Sequence, residues 1–217
     1  VDVVAGGEQA ATAFVATLAA PADAVRLQTG VEAPETFATI RGGISYLINN
    51  AGRCSVGFAV QGGFITAGHC GVTGDSTTYG TFRGSSFPGN DYAWVATPHH
   101  TPVGQVSDYS GGTVAVKGST AAAVGATVCR SGSTTGWHCG RIQGYNSTVR
   151  YAEGSVSGLI RTSVCAEPGD SGGSLIAGNQ AQGVTSGGSG DCTSGGTTYF
   201  QPVNEILQAY NLRLLPS

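Results

Sequence analysis

The stretch Cys165-Ala166-Glu167-Pro168-Gly169-Asp170-Ser171-Gly172-Gly173 decides how the rest of the chain is read. A serine hydroxyl is a poor nucleophile unless a base takes its proton and donors receive the oxyanion that develops. Gly169 and Gly172, on either side of Ser171, permit a tight turn and a close backbone approach to a substrate. The N–H groups of Gly169 and Ser171 can then converge on one point, as an oxyanion hole requires. In a chain with 36 glycines, an ordinary Gly/Ser turn is the competing reading. What decides between them is whether a histidine, an aspartate and a substrate slot lie elsewhere.

The same residues fit a loose Gly-x-Ser-x-Gly elbow, in which the base follows the serine along the chain. Here His69, His99, His100 and His138 all precede Ser171. That order excludes the elbow and leaves a His–Asp–Ser or Asp–His–Ser arrangement.

Composition sets the outer limits. The 217 residues suffice for one large all-β unit or two small lobes. Charged residues make up 11%, against about 25% in average domains, and the net charge is −3. No basic footprint for nucleic acid is present. No apolar run reaches the roughly 18 residues of a helical membrane span. The lack of an initiator Met and of a basic-plus-apolar leader is read as a segment cut from a longer precursor. Six cysteines point to disulfides and an oxidising compartment, and no Cys-x-x-Cys pair supports a metal. The local arrangement favours Cys54–Cys70, Cys129–Cys139 and Cys165–Cys192, each closing a short loop.

Upstream, Val1-Asp2-Val3-Val4 reads as a strand, and Ala11, Phe14, Val15 and Leu18 recur at helical spacing from near Glu8. Pro21 stops that helix, and residues 24–29 alternate like an edge strand. This cysteine-free α+β piece is either an N-terminal subdomain or the tail of a pro-region. From Ile40 onward, short strands alternate with Gly/Ser turns, the pattern of a β-barrel or sandwich. One strand, Gly63-Phe64-Ile65-Thr66-Ala67, runs into Gly68-His69-Cys70, placing His69 beside a cysteine that can pin its loop. Asp91 opens the apolar strand Asp91-Tyr92-Ala93-Trp94-Val95, where burial is costly without hydrogen bonds. Orienting an imidazole N–H would explain it. Asp75 and Asp108 lie in polar turns, and Asp170 adjoins the serine itself. His99 and His100 sit in a proline-bracketed stretch read as a surface loop, with metal binding the lesser alternative, and His138, in a tight cysteine loop, is read as structural. Asn204 to Tyr210 reads as a closing amphipathic helix.

Thr66-Ala67-Gly68-His69-Cys70, Asn90-Asp91-Tyr92-Ala93-Trp94-Val95 and Gly169-Asp170-Ser171-Gly172-Gly173 together resemble the chymotrypsin-like serine proteases. Arg53-Cys54-Ser55-Val56-Gly57-Phe58, Cys129 through Gly140 and Thr185-Ser186-Gly187-Gly188 are similar to the secreted bacterial branch of streptogrisins, α-lytic protease and the Thermobifida protease. The resemblance covers roughly residues 40 to 215. It implies a mainly β fold of two antiparallel six-stranded barrels, about 40–117 and 118–217, within a protease domain of 38–217. It favours the same three cysteine pairs.

By resemblance, Ser171 is the nucleophile, His69 the general base and then acid, and Asp91 the group that holds the imidazole. Gly169 and Ser171 supply the oxyanion donors. Ala166, Glu167, Pro168, Thr185, Ser186, Gly187 and Gly188 line the substrate groove, and Arg130 pairs with Asp170. No metal or other cofactor is implied. Residues 1–37 resemble the C-terminal lobe of a pro-region that assists folding and then inhibits. The expected partners are protein or peptide substrates and that pro-region, with no nucleic acid or membrane, for a secreted, extracellular monomer.

Trypsin-like relatives carry an aspartate where this chain has Ser163, and glutamate-selective ones a histidine where it has Thr185. The expectation is therefore cleavage after large apolar residues. Self-cleavage is expected after Phe37, with Thr39–Ile40 as the second choice.

Overall fold

The computed structural model describes residues 2–4, 6–18, 21, 24–31 and 39–217. The chain divides into two compact units, Val1–Phe37 and Ala38–Ser217.

In the first unit, β1 (Asp2–Val4) pairs in parallel with β2 (Gln28–Val31), and α1 (Glu8–Ala16) lies between them in sequence. Two parallel strands joined through a helix form the crossover that parallel pairing demands. The second strand falls further along than the alternation of residues 24–29 suggests, because pairing with β1 rather than local pattern fixes where it starts. The helix carries the expected periodicity, but none of its residues is buried and Phe14 is 60% exposed. The expected cleavage bond after Phe37 lies outside the described residues.

The second unit begins with nine strands. They are β3 (Thr39–Gly42), β4 (Ser45–Ile48), β5 (Gly52–Ser55), β6 (Phe58–Val60), β7 (Gly63–Thr66), β8 (Thr81–Ser86), β9 (Tyr92–Ala96), β10 (Thr101–Ser107) and β11 (Thr113–Ala115). They fall into three sheets, β11-β10-β3, β4-β5 and β6-β7-β9-β8. Most are only three to five residues long, too short for one continuous ladder. Around the corner between β5 and β6 backbone bonds continue outside the strands, from Gly43 N–H to Val56 O at 2.7 Å, from Val56 N–H to Ile44 O at 2.8 Å and from Gly57 N–H to Ile65 O at 2.9 Å. Alternation buries Ile40, Tyr46, Ile48, Val56, Phe64, Phe82 and Val95 in one cluster.

After β11 come β12 (Thr127–Gly132), β13 (Gly136–Arg150), β14 (Ser155–Thr162), β15 (Ser174–Ala177), β16 (Gln180–Asp191) and β17 (Gly195–Pro202). These six close into a barrel in the order β12-β13-β14-β17-β16-β15. Its core is Val128, Ile142, Ile160, Val164, Leu175 and Phe200. The chain ends in α2 (Val203–Ala209), which buries Val203 and Ile206 against residues from both halves, including Phe58, Val60 and Val184. The expected helix starts one residue later than the observed one. Pro202, with φ fixed near −60°, precedes its first turn. The architecture is mainly β with a C-terminal helix, one six-stranded barrel closed and the strands before it divided among three sheets.

Candidate active site

His69 sits in a single helical turn, Gly68–Cys70, immediately after β7. Its loop is pinned by the Cys54–Cys70 disulfide. Asp91 lies one residue before β9, and β7 and β9 are hydrogen-bonded neighbours, so the sheet itself brings the two together. His69 Nδ1 is 2.8 Å from Asp91 Oδ2, and the His69 backbone N–H donates to Asp91 Oδ1 at 2.9 Å. With Nδ1–H committed to a carboxylate, Nε2 is left as the acceptor nitrogen.

Asp91 is fully buried, and burial of a carboxylate has to be offset by hydrogen bonds. A third donor to it is Ser186 Oγ, at 2.5 Å from Oδ2. Because the ladder between β16 and β17 shifts register between Thr185 and Gly187, Ser186 occupies a bulge that re-aims its side chain. Since its proton goes to Asp91, the Tyr151 hydroxyl 2.9 Å away must be the donor to Ser186 Oγ. The backbone N–H of Asp91 donates to Gln201 Oε1 at 2.8 Å. Ser186 was legible in the sequence only as groove backbone, and Tyr151 and Gln201 were missed. Gln201 did leave a signal, an amide between Phe200 and Val203 in an apolar stretch, the same kind of anomaly that marks Asp91.

The serine turn packs against the end of β7. Ser55 N–H donates to Ser171 O at 2.8 Å, and Gly172 N–H to Thr185 O at 2.8 Å. Gly169 and Gly172 hold φ of +98° and +79°, which side-chain-bearing residues rarely adopt. At Gly172 a Cβ would lie 2.0 Å from Thr66 Oγ1 and 2.7 Å from Ser55 O, so only glycine lets the turn approach this closely. Within the turn, Asp170 N–H goes to Glu167 O and Gly173 N–H to Asp170 O. Among the described residues, the N–H groups of Gly169 and Ser171 meet no acceptor, so the two expected oxyanion donors are the uncommitted ones. Ser171 Oγ forms no hydrogen bond to His69, a contact that in such sites often tightens only with substrate bound.

Under the turn, Arg130 and Asp170 form a fully buried ion pair, Nη1 to Oδ1 at 3.3 Å. Arg130 Nε donates to Cys165 O at 2.9 Å, and its Nη2 to Thr135 Oγ1. Asp170 also takes the N–H groups of Thr134, Thr135 and Glu167 and the Thr135 hydroxyl. Burial alone would push its carboxyl up, but Arg130's charge and these hydrogen bonds outweigh that and hold it below the usual carboxylate range. Burial in turn lowers the Arg130 guanidinium, and Asp170's charge opposes the shift.

Ala166, Glu167 and Pro168 precede the turn, and Glu167 accepts the Cys192 N–H at 3.1 Å. Thr185 is buried and gives both its N–H and its hydroxyl to Gly173 O, so it clamps the turn. The pairing of β15 with β16 stops at Val184, which leaves one edge of Ser186, Gly187 and Gly188 unpaired. Ser163 is exposed and its Oγ accepts the Arg141 N–H at 3.0 Å. A cavity of about 400 Å³ beside the histidine is lined by His69, Phe87, Tyr151, Glu153 and Ser186. The three disulfides are Cys54–Cys70, Cys129–Cys139 and Cys165–Cys192. His138 is tied to Thr135 O at 3.0 Å, and His100 packs edge-on to Tyr79. Asp75 and Asp108 accept backbone N–H groups of their own turns.

The trypsin family model matches residues 39–209. The chain belongs to the trypsin family of chymotrypsin-like serine proteases. It is 57% identical over its whole length to streptogrisin-C of Streptomyces griseus, of which the match covers 50%. The Cellulomonas bogoriensis chymotrypsin structure is 67% identical, with a TM-score of 0.82 over 83% of this chain and 100% of that one. Thermobifida fusca protease A is 56% identical, with a TM-score of 0.81 over the same shares. The chain spans about half the length of the curated streptogrisins C and D that it matches.

Proposed function

We propose that this chain is a secreted serine endopeptidase that cleaves after large apolar or aromatic residues through an acyl-enzyme. The observation that carries the reading is the buried carboxylate of Asp91 on His69 Nδ1, with the serine turn packed on the strand that delivers the histidine. Ser171 Oγ attacks the scissile carbonyl carbon while its proton passes to His69 Nε2. The oxyanion is received by the N–H groups of Gly169 and Ser171. His69 then gives the proton to the leaving amine as the C–N bond breaks. Water repeats the sequence and releases the acid. Asp91 keeps Nδ1 protonated and stabilises the imidazolium between steps. The open edge at Ser186 to Gly188 suits an extended substrate adding as a strand, and a relative of high identity carries the name chymotrypsin.

The role of the Arg130–Asp170 pair is to hold the turn in its catalytic shape. In the same reading, residues 1–37 act as folding aid and inhibitor until cut away by self-processing, the enzyme works as an extracellular monomer, and no metal or cofactor takes part. The test is hydrolysis of a peptide series varied only at the residue before the cleaved bond. Phe, Tyr and Leu are expected to be turned over fastest, and a preference for Lys or Glu overturns the specificity.

A further inference from the structure

We propose that Gln201 is a positioning residue for the His69–Asp91 pair, and that Glu205 sets the direction of its amide. The inference rests on the peptidase reading only for its kinetic readout. Asp91 stands just outside the ladder, because the last register pair between β8 and β9 is Ser86 with Tyr92. Its backbone N–H therefore lies outside the β8–β9 ladder, and the residue is buried. Gln201 Oε1 supplies the acceptor at 2.8 Å from a side chain that is itself 0% exposed.

The direction of that amide matters. A primary amide offers an acceptor at one end and donors at the other, so a flipped Gln201 would set N–H against N–H. Glu205, four residues on in the first turn of α2, accepts from Gln201 Nε2 and fixes the orientation that leaves Oε1 facing Asp91. Gln201 is anchored in turn by the closed barrel, where it pairs with Val184 across β16 and β17. Val184 also pairs with Ser174, three residues beyond the nucleophile. One side chain thus ties the histidine-and-aspartate half of the site to the barrel that carries the serine. Neither Gln201 nor Glu205 lines the cavity beside His69.

The experiment compares Gln201→Met, Glu205→Ala, Glu205→Gln and the double variant Gln201→Met/Glu205→Ala in the processed enzyme. It reads kcat and KM on a Phe-ended peptide and the far-downfield proton resonance of the His69 Nδ1–H. Gln201→Met is expected to lower kcat about 10- to 100-fold with KM within about twofold, the split of a lost orientation rather than a lost substrate contact. Glu205→Ala is expected to lower kcat about threefold in the parent and to add nothing in the Gln201→Met background, as coupled neighbours do. Glu205→Gln, which keeps an acceptor oxygen, recovers most of that loss. The resonance moves or broadens in Gln201→Met. A folded Gln201→Met with kcat within about twofold of the parent and an unmoved resonance overturns the proposal. So does an equal effect of Glu205→Ala in both backgrounds. Where Gln201→Met does not fold, Glu205→Ala with parental kcat and an unmoved resonance overturns it. A parent without any turnover sinks the peptidase reading instead, and the resonance then decides the positioning role by itself.

Discussion

Asp91 takes hydrogen bonds from His69 N–H, His69 Nδ1–H and Ser186 Oγ while fully buried, so its charge and its shape are both in use. Asp91→Asn keeps the shape but offers an amide to Nδ1, which favours the wrong imidazole tautomer. A drop in kcat of about 10⁴-fold is expected, with the fold intact by circular dichroism. Ser171→Ala should retain only about 10³–10⁴-fold acceleration over water, from binding and the oxyanion donors. At this scale the sequence was informative because each key residue broke a local rule. Ser171 sat between glycines, Asp91 opened an apolar strand, and His69 ended one beside a cysteine. Gln201 broke the same rule in β17. Its meaning depends on a residue 110 positions away in sequence, which no local pattern exposes. Ser186 was harder still, since its aim at Asp91 comes from a bulge visible only once β16 and β17 are paired.

The serine turn depends on the elements beneath it. Gly172→Ala would force a methyl into Thr66 Oγ1 and the Ser55 carbonyl at a φ of +79°, and the backbone contact cannot be relieved by rotating a side chain. Loss of most activity is expected, read as a fall in the fraction of chains that titrate with an acylating ester. Arg130→Ala would strand the buried Asp170 charge, a change that typically costs about 3–5 kcal/mol, read as a lowered denaturant midpoint. The same pair gives a sign for acid. Asp170's carboxyl is held below its ordinary value of about 3.9, so the stability it contributes is fully present above that pH. It is lost as pH falls through the lower, folded value. Urea titrations from about pH 5 to 2 should show this slope in the parent, and a smaller one in Asp170→Asn. Strand spacing and turn residues made the β-rich character legible, but not the division of the first half into three sheets. Bonds such as Gly43 N–H to Val56 O, made by residues between the strands, leave no periodicity in the sequence.

Across the molecule, the disulfides fix loops that the cores do not. Cys54–Cys70 spans 16 residues and closes the loop that carries His69, for which chain entropy gives about 3 kcal/mol. The paired change Cys54→Ser/Cys70→Ser is expected to lower stability by about that amount in denaturant titrations and to reduce kcat more than KM. The pairing was legible from cysteine spacing together with family resemblance. The sequence changes character near residue 37, from a cysteine-free α+β piece to Gly/Ser-punctuated strands, and the chain divides there into two compact units. These parts converge on Ser171, the proposed nucleophile. The most direct measurement is pre-steady-state acylation of the processed enzyme with a chromogenic ester, followed by mass mapping of the labelled peptide. A burst approaching about one acyl group per chain, on Ser171, is expected, and none in Ser171→Ala. An acyl group on another residue, or a burst of the same size in Ser171→Ala, would contradict it.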